Sequence, residues 1–132
     1  MVIFMHSILV IEDDQLILDT MKIILTRSGH NVETASNGYE GVQKFDDGFF
    51  DLVITDMCMP EMNGNDVAEH IRNSGNQFIP VVGISGTPWF INNNNFDSTL
   101  NKPFKLKTLI DTVNDLLASS DNLIANYRLA HN

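Results

Sequence analysis

The chain has 132 residues, 43% of them hydrophobic and 19% charged, which fits one domain with a real core and argues against disorder. Eight basic against seventeen acidic residues leave a formal charge of −9, which repels nucleic acid and anionic membranes, so direct DNA binding is excluded as a natural reading. Cys58 is the only cysteine and the four histidines are scattered, so neither an internal disulfide nor a zinc cluster is expected; with no secretion signal and no run of the ~20 apolar residues that cross a bilayer, the chain reads as soluble and cytoplasmic.

The first predicted element is the strand SILVI, Ser7 to Ile11, short and apolar on both faces, as a strand covered by helices should be. After the acids Glu12, Asp13 and Asp14, the residues Ile17, Leu18, Met21, Ile24 and Leu25 recur at helical spacing. NVETAS, residues 31 to 36, alternates polar and apolar and suits an edge strand, and YEGVQKF supplies one short helix. DLVIT, Asp51 to Thr55, is a second doubly covered strand, followed by Asp56 and then, after NGND, by the helical set Val67, Ala68 and Ile71. PVVGIS, Pro80 to Ser85, is another such strand, and Ser98 to Asn101 a fifth. The last helix carries the clearest period, with Leu106, Leu109, Ile110, Val113, Leu116 and Leu117 stepping by three and four.

Alternating strands and helices imply an α/β, doubly wound, five-stranded parallel sheet with helices on both faces, joined by right-handed crossovers. In such sheets the working crevice lies beyond the carboxyl ends of the strands. Glu12 and Asp13 follow the first strand, Asp56 ends DLVIT, and Ser85 ends PVVGIS. Three acids in one crevice repel each other, about 4 kcal/mol for a pair at 4 Å and an effective dielectric near 20, and a divalent cation relieves that. Carboxylate oxygens with retained waters suit Mg²⁺, and Lys102 in NKPF would bring an ammonium to Asp56 from the other side. Asp56 is then expected to stand open at the strand end as a nucleophile that accepts a phosphoryl group. The cation and Lys102 would neutralise the transferring oxygens, and the Ser85 hydroxyl would donate to one of them. Asp13 or Asp14 has a duller reading as the cap of the helix starting near Gln15; Met57, Met59 and Met62 read as packing or rim residues, and the Cys58 thiol as inert.

In order and spacing, ILVIEDD, DLVITDMCMPEMNG, VVGIS and KPF resemble the motifs of response-regulator receiver domains, with Asp56 43 positions after Asp13 and Ser85 29 after Asp56. The resemblance covers roughly residues 7 to 118 and implies the sheet order 2-1-3-4-5. It also implies Asp56 as phosphoacceptor, Glu12, Asp13, Asp56 and the Cys58 carbonyl around Mg²⁺, Ser85 as the switch hydroxyl, Lys102 as the phosphate contact and a cis Lys102–Pro103 bond. The implied donor is a phosphohistidine on a sensor histidine kinase or histidine phosphotransfer protein, and the implied output is a downstream effector protein. Such a chain is no enzyme beyond its own phosphorylation and dephosphorylation.

Two departures stand out. Thr99 occupies the position, three before the lysine, where the family usually has Tyr or Phe, which puts the usual hydroxyl-to-aromatic coupling in doubt. The segment from Gly86 to Asn101, GTPWFINNNNFDSTLN, has no helical period and four consecutive Asn, so the helix between the fourth and fifth strands is expected to be short, distorted or missing. Part of that loop is expected to be mobile, with Trp89 and Phe90 either on an altered output surface or folded back on the core. Residues 119 to 132 read as a helical extension or a linker stub. The sequence leaves open the cognate kinase, the effector, a homodimer, and whether this is a free-standing receiver or a piece of a larger regulator. A haloacid-dehalogenase-type phosphatase wants a second Asp two positions after the first, where Cys58 stands. A flavodoxin wants a phosphate-binding loop where EDDQ stands. The alternative kept is a phosphorylation-independent, receiver-like docking module.

Overall fold

A computed structural model describes residues 5–76, 78–87 and 95–131. Strand β1 (Ser7–Ile11) pairs in parallel with β2 (Asn31–Ala35) on one side and β3 (Leu52–Asp56) on the other; β4 (Val81–Ser85) and β5 (Ser98–Asn101) complete the sheet in the order β2-β1-β3-β4-β5. β2 is an edge, as its alternating pattern implies. β1, β3 and β4 lie inside the sheet, and β3 and β4 are buried at all five positions, which is why they read as continuous apolar runs.

The two-residue period of a strand sends alternate side chains into two separate cores. Ile8, Val10, Leu52, Ile54, Val82 and Ile84 face α1 (Gln15–Arg27) and α4 (Leu106–Ala130), where they meet Leu18, Met21 and Leu25 of α1 and Leu109, Val113 and Leu117 of α4. Leu9, Ile11, Val53 and Val81 face α2 (Gly38–Asp47) and α3 (Gly64–Asn73), where they meet Phe45, Val67, Ala68 and Ile71. Each fully buried Val, Leu or Ile contributes about 1.5–3 kcal/mol, so these paired layers hold the strand ends in register. Leu106, at the head of the last apolar stripe, instead stays 41% exposed: it is the first residue of α4 and lies before the turn at which that helix meets the sheet.

Local signals set the helix starts. Asp14 caps α1 by accepting from the Leu16 and Ile17 amides at 3.0 and 3.2 Å. Asn63 and Asp66 form a reciprocal capping box at the head of α3. Gly64 lets α3 begin directly against the end of β3, since a Cβ there would lie 2.5 Å from the Asp56 carbonyl oxygen. α4 continues unbroken to Ala130, and its later turns are fastened to the domain: Ser120 Oγ donates to the Phe78 carbonyl at 2.7 Å, His6 Nε2 lies 3.0 Å from Asp121 Oδ2, and the Phe78 and Tyr127 rings meet edge to face. No described helix is long and apolar enough to cross a membrane. The expectations placed on Pro88 to Asn94, including the distorted helix, the mobile loop and the setting of Trp89 and Phe90, fall on residues outside those described.

Candidate functional site

The register builds the site. Ile11 lies opposite Thr55, so the next residues, Glu12 and Asp56, leave neighbouring strands side by side. Asp56 in turn lies opposite Ile84, one position before Ser85. The Lys102 amide donates to the Ser85 carbonyl at 2.9 Å, drawing the end of β5 alongside the end of β4, and the Lys102–Pro103 bond is cis. Glu12, Asp13 and Asp56 each present a carboxylate oxygen, and these oxygens all lie within 4.8 Å of one another. Lys102 reaches two of these acids, its Nζ 2.8 Å from Glu12 Oε1 and 3.2 Å from Asp56 Oδ1.

Two details correct the sequence reading. Asp56 does not stand open at the strand end: it is only 4% exposed, on a strand flanked by β1 and β4 and met by the start of α3, with the Lys102 ammonium 3.2 Å from its Oδ1. Lys102 also sits closer to Glu12 than to Asp56. The adjacent acids divide the two tasks that the sequence left joined, Asp14 capping α1 and Asp13 turning to the cluster.

The charge balance is incomplete. Glu12 is 1% exposed and its Oε2 is buried with no hydrogen-bond partner among the described residues. Burial, working against the Lys102 hydrogen bond and joined by the neighbouring Asp56 carboxylate, pushes Glu12 up to about 7. Burial also raises Asp13, partly offset by its own backbone hydrogen bond and reinforced by the charge of Asp56. For Lys102, burial pulls down, but the Glu12 hydrogen bond and the charges of Asp56 and Glu12 outweigh it and hold the ammonium above its ordinary range. Three carboxylates and one ammonium thus leave an excess of negative charge and an orphaned buried oxygen, which is the donor set a hard, oxygen-seeking dication fits.

Ser85 is fully buried, and its Oγ accepts from the Thr87 amide at 2.9 Å and lies 3.3 Å from Thr87 Oγ1. Thr87, which sequence reasoning passed over, also approaches the exposed Cys58 thiol at 4.0 Å. The readable signal was Ser-Gly-Thr after a buried strand, the chemistry of a hydroxyl turn. The Cys58 thiol is not among the clustered acids. Met57 and Met59 are buried, and Met62 packs against the α2–α3 core. Thr99 is exposed on β5.

A family model for the response regulator receiver domain matches residues 8–114. The chain belongs to that family. It is 31% identical, over 95% of its length, to the transcriptional regulatory protein CpxR homolog of Haemophilus influenzae, and 29% identical, over 92%, to the regulatory protein VanRB of Enterococcus faecalis. It spans 57% of the length of each, little more than half. Among solved structures, the response regulator TrrA of Thermotoga maritima in complex with Mg²⁺-BeF superposes with a TM-score of 0.78 at 30% identity, covering 84% of this chain and 98% of that one. A response regulator receiver domain protein from Clostridium thermocellum gives 0.80 at 28% identity, covering 89% and 98%. The receiver family thus accounts for the five-stranded parallel sheet.

Proposed function

We propose that this receiver domain takes a phosphoryl group onto Asp56 from the phosphohistidine of a sensor histidine kinase or histidine phosphotransfer protein, and that the acyl phosphate switches a surface read by a downstream effector. The observation that carries this is the cluster of Glu12, Asp13 and Asp56 faced by Lys102, with one buried carboxylate oxygen left over. Glu12, Asp13, Asp56 and the Cys58 carbonyl are the residues that would hold Mg²⁺, which supplies positive charge to the transferring oxygens. An Asp56 carboxylate oxygen attacks phosphorus as the phosphorus–nitrogen bond of the donor breaks, and the imidazole leaves with its electron pair. Lys102 is already within reach and follows the new charge. The Ser85 hydroxyl donates to a phosphoryl oxygen while its Oγ accepts from the Thr87 amide, and water later cleaves the acyl phosphate. The unit acts catalytically only on its own phosphorylation state, in the cytoplasm, with residues 1–118 as the receiver and the later turns of α4 as its helical extension.

Incubation with acetyl phosphate and Mg²⁺, read by intact mass, tests the reading. A gain of one phosphoryl group is expected, lost in EDTA and in Asp56→Asn. Thr99, exposed where the family usually has an aromatic residue, favours the second reading, a docking module that does not use phosphate. No gain with Mg²⁺ present, in a chain shown to be folded, decides for that module.

A further inference from the structure

At the end of the sheet opposite Asp56, the turn between α2 and β3 presents two consecutive phenylalanines in opposite senses. Phe50 turns into the α2–α3 core at 9% exposure, and Phe49 projects at 97%. No other large apolar side chain of the described residues is as exposed. Clefts open on its flanks. One of about 590 Å³ lies between Phe49 and the later turns of α4, walled by Phe78, Ile79, Leu117, Ile124 and Tyr127. Another of about 570 Å³ lies toward the ends of α2 and α3. The rim of the first carries Asp51, Asp121 and Arg128, and the Arg128 guanidinium has no partner among the described residues.

An apolar knob beside an apolar hole, with base and acid on one rim, is what a two-fold contact between identical surfaces needs, since each copy must supply both halves of every interaction. A partner of different sequence needs only one half. We propose that the amino-terminal end of the sheet is a contact between two copies of this chain, with Phe49 of each entering the cleft beside Tyr127 of the other. Arg128 of each copy then faces Asp51 and Asp121 of the other, so charge matches across the axis although each chain carries −9 overall. The contact is small, of the class burying less than ~1,200 Å², and its association is reversible. It lies away from Asp56 and does not depend on phosphorylation.

Sedimentation of the full chain across micromolar to submillimolar concentration, without phosphodonor, tests this at about 0.15 M salt, where charges more than ~8 Å apart are largely screened. A reversible monomer–dimer equilibrium is expected, weakened more than tenfold by Phe49→Ser and by Arg128→Glu, with Mg²⁺-dependent labelling of both variants unchanged. A photo-crosslinking phenylalanine analogue at position 49 is expected to join residues 117–128 of the other copy in an isotope-mixed sample. A chain that stays monomeric throughout, a dimer that survives Phe49→Ser, or a dimer that forms only with Mg²⁺ and phosphodonor overturns the proposal. Because the readout is mass in solution without phosphodonor, its failure leaves the role of Asp56 untouched, and the converse also holds.

Discussion

Asp13→Asn separates the electrostatic cost of the site from its cation chemistry. Asp13 shares the 4.8 Å carboxylate cluster, but Lys102 pairs with Glu12 and Asp56 and not with it, so the substitution removes repulsion without breaking an ion pair. Two charges at 4.8 Å repel by about 3.5 kcal/mol at an effective dielectric of 20. Asp13 is exposed, and solvent screening brings that to about 1 kcal/mol. The helix cap survives because Asp14 makes it. In EDTA the variant therefore melts about 3–4 °C above the parent. With Mg²⁺ at a hundred times its dissociation constant, the parent gains about 2.7 kcal/mol. A variant binding about a hundredfold more weakly gains only about 0.4 kcal/mol. The order then reverses, the parent being more stable by about 1.3 kcal/mol from these figures. Thermal melts of both proteins in EDTA and in Mg²⁺ read all four values. A variant that is less stable in EDTA, or that gains as much from Mg²⁺ as the parent, refutes the reasoning.

Other consequences follow from the same geometry. Glu12 is raised from 4.5 to about 7 in the fold, so the native state holds more protons than the unfolded chain between those values. Stability in EDTA therefore falls as pH rises through that window, by about 3 kcal/mol at most, and denaturant titrations of Glu12→Gln should show a flatter profile. Asp14→Ala removes the cap of α1 and should cost about 1 kcal/mol while leaving Mg²⁺-dependent labelling intact, the opposite division from Asp13→Asn. Gly64→Ala would set a Cβ 2.5 Å from the Asp56 carbonyl oxygen and 2.8 Å from the Met57 sulfur. Moving α3 off the strand end should lower stability by about 1–3 kcal/mol and slow labelling, both measurable on one preparation.

Periodicity made the strands legible, because β3 and β4 are covered on both faces and edge strand β2 on one. It also ordered the acids, hydroxyl and lysine at successive strand ends. What depends on contacts between distant residues was not readable. Nothing local says that Asp56 is enclosed, that Lys102 closes first on Glu12, or that Thr87 holds the Ser85 hydroxyl; each is set by how β1, β4 and β5 end beside β3. The two roles weighed for Asp13 and Asp14 could be told apart only once the start of α1 was fixed, since adjacent residues there point in different directions. Phe49 and Phe50 show the same limit: two identical side chains in sequence, one in the core and one in solvent.

The central claim is that Asp56 carries the phosphoryl group, and locating the bond tests it most directly. After exposure to acetyl phosphate and Mg²⁺, borohydride reduction turns an aspartyl phosphate into homoserine, whose position peptide sequencing by mass spectrometry reports. Homoserine at position 56 alone is the predicted result. Homoserine at position 13 or elsewhere, or none in a chain whose mass had risen, contradicts it.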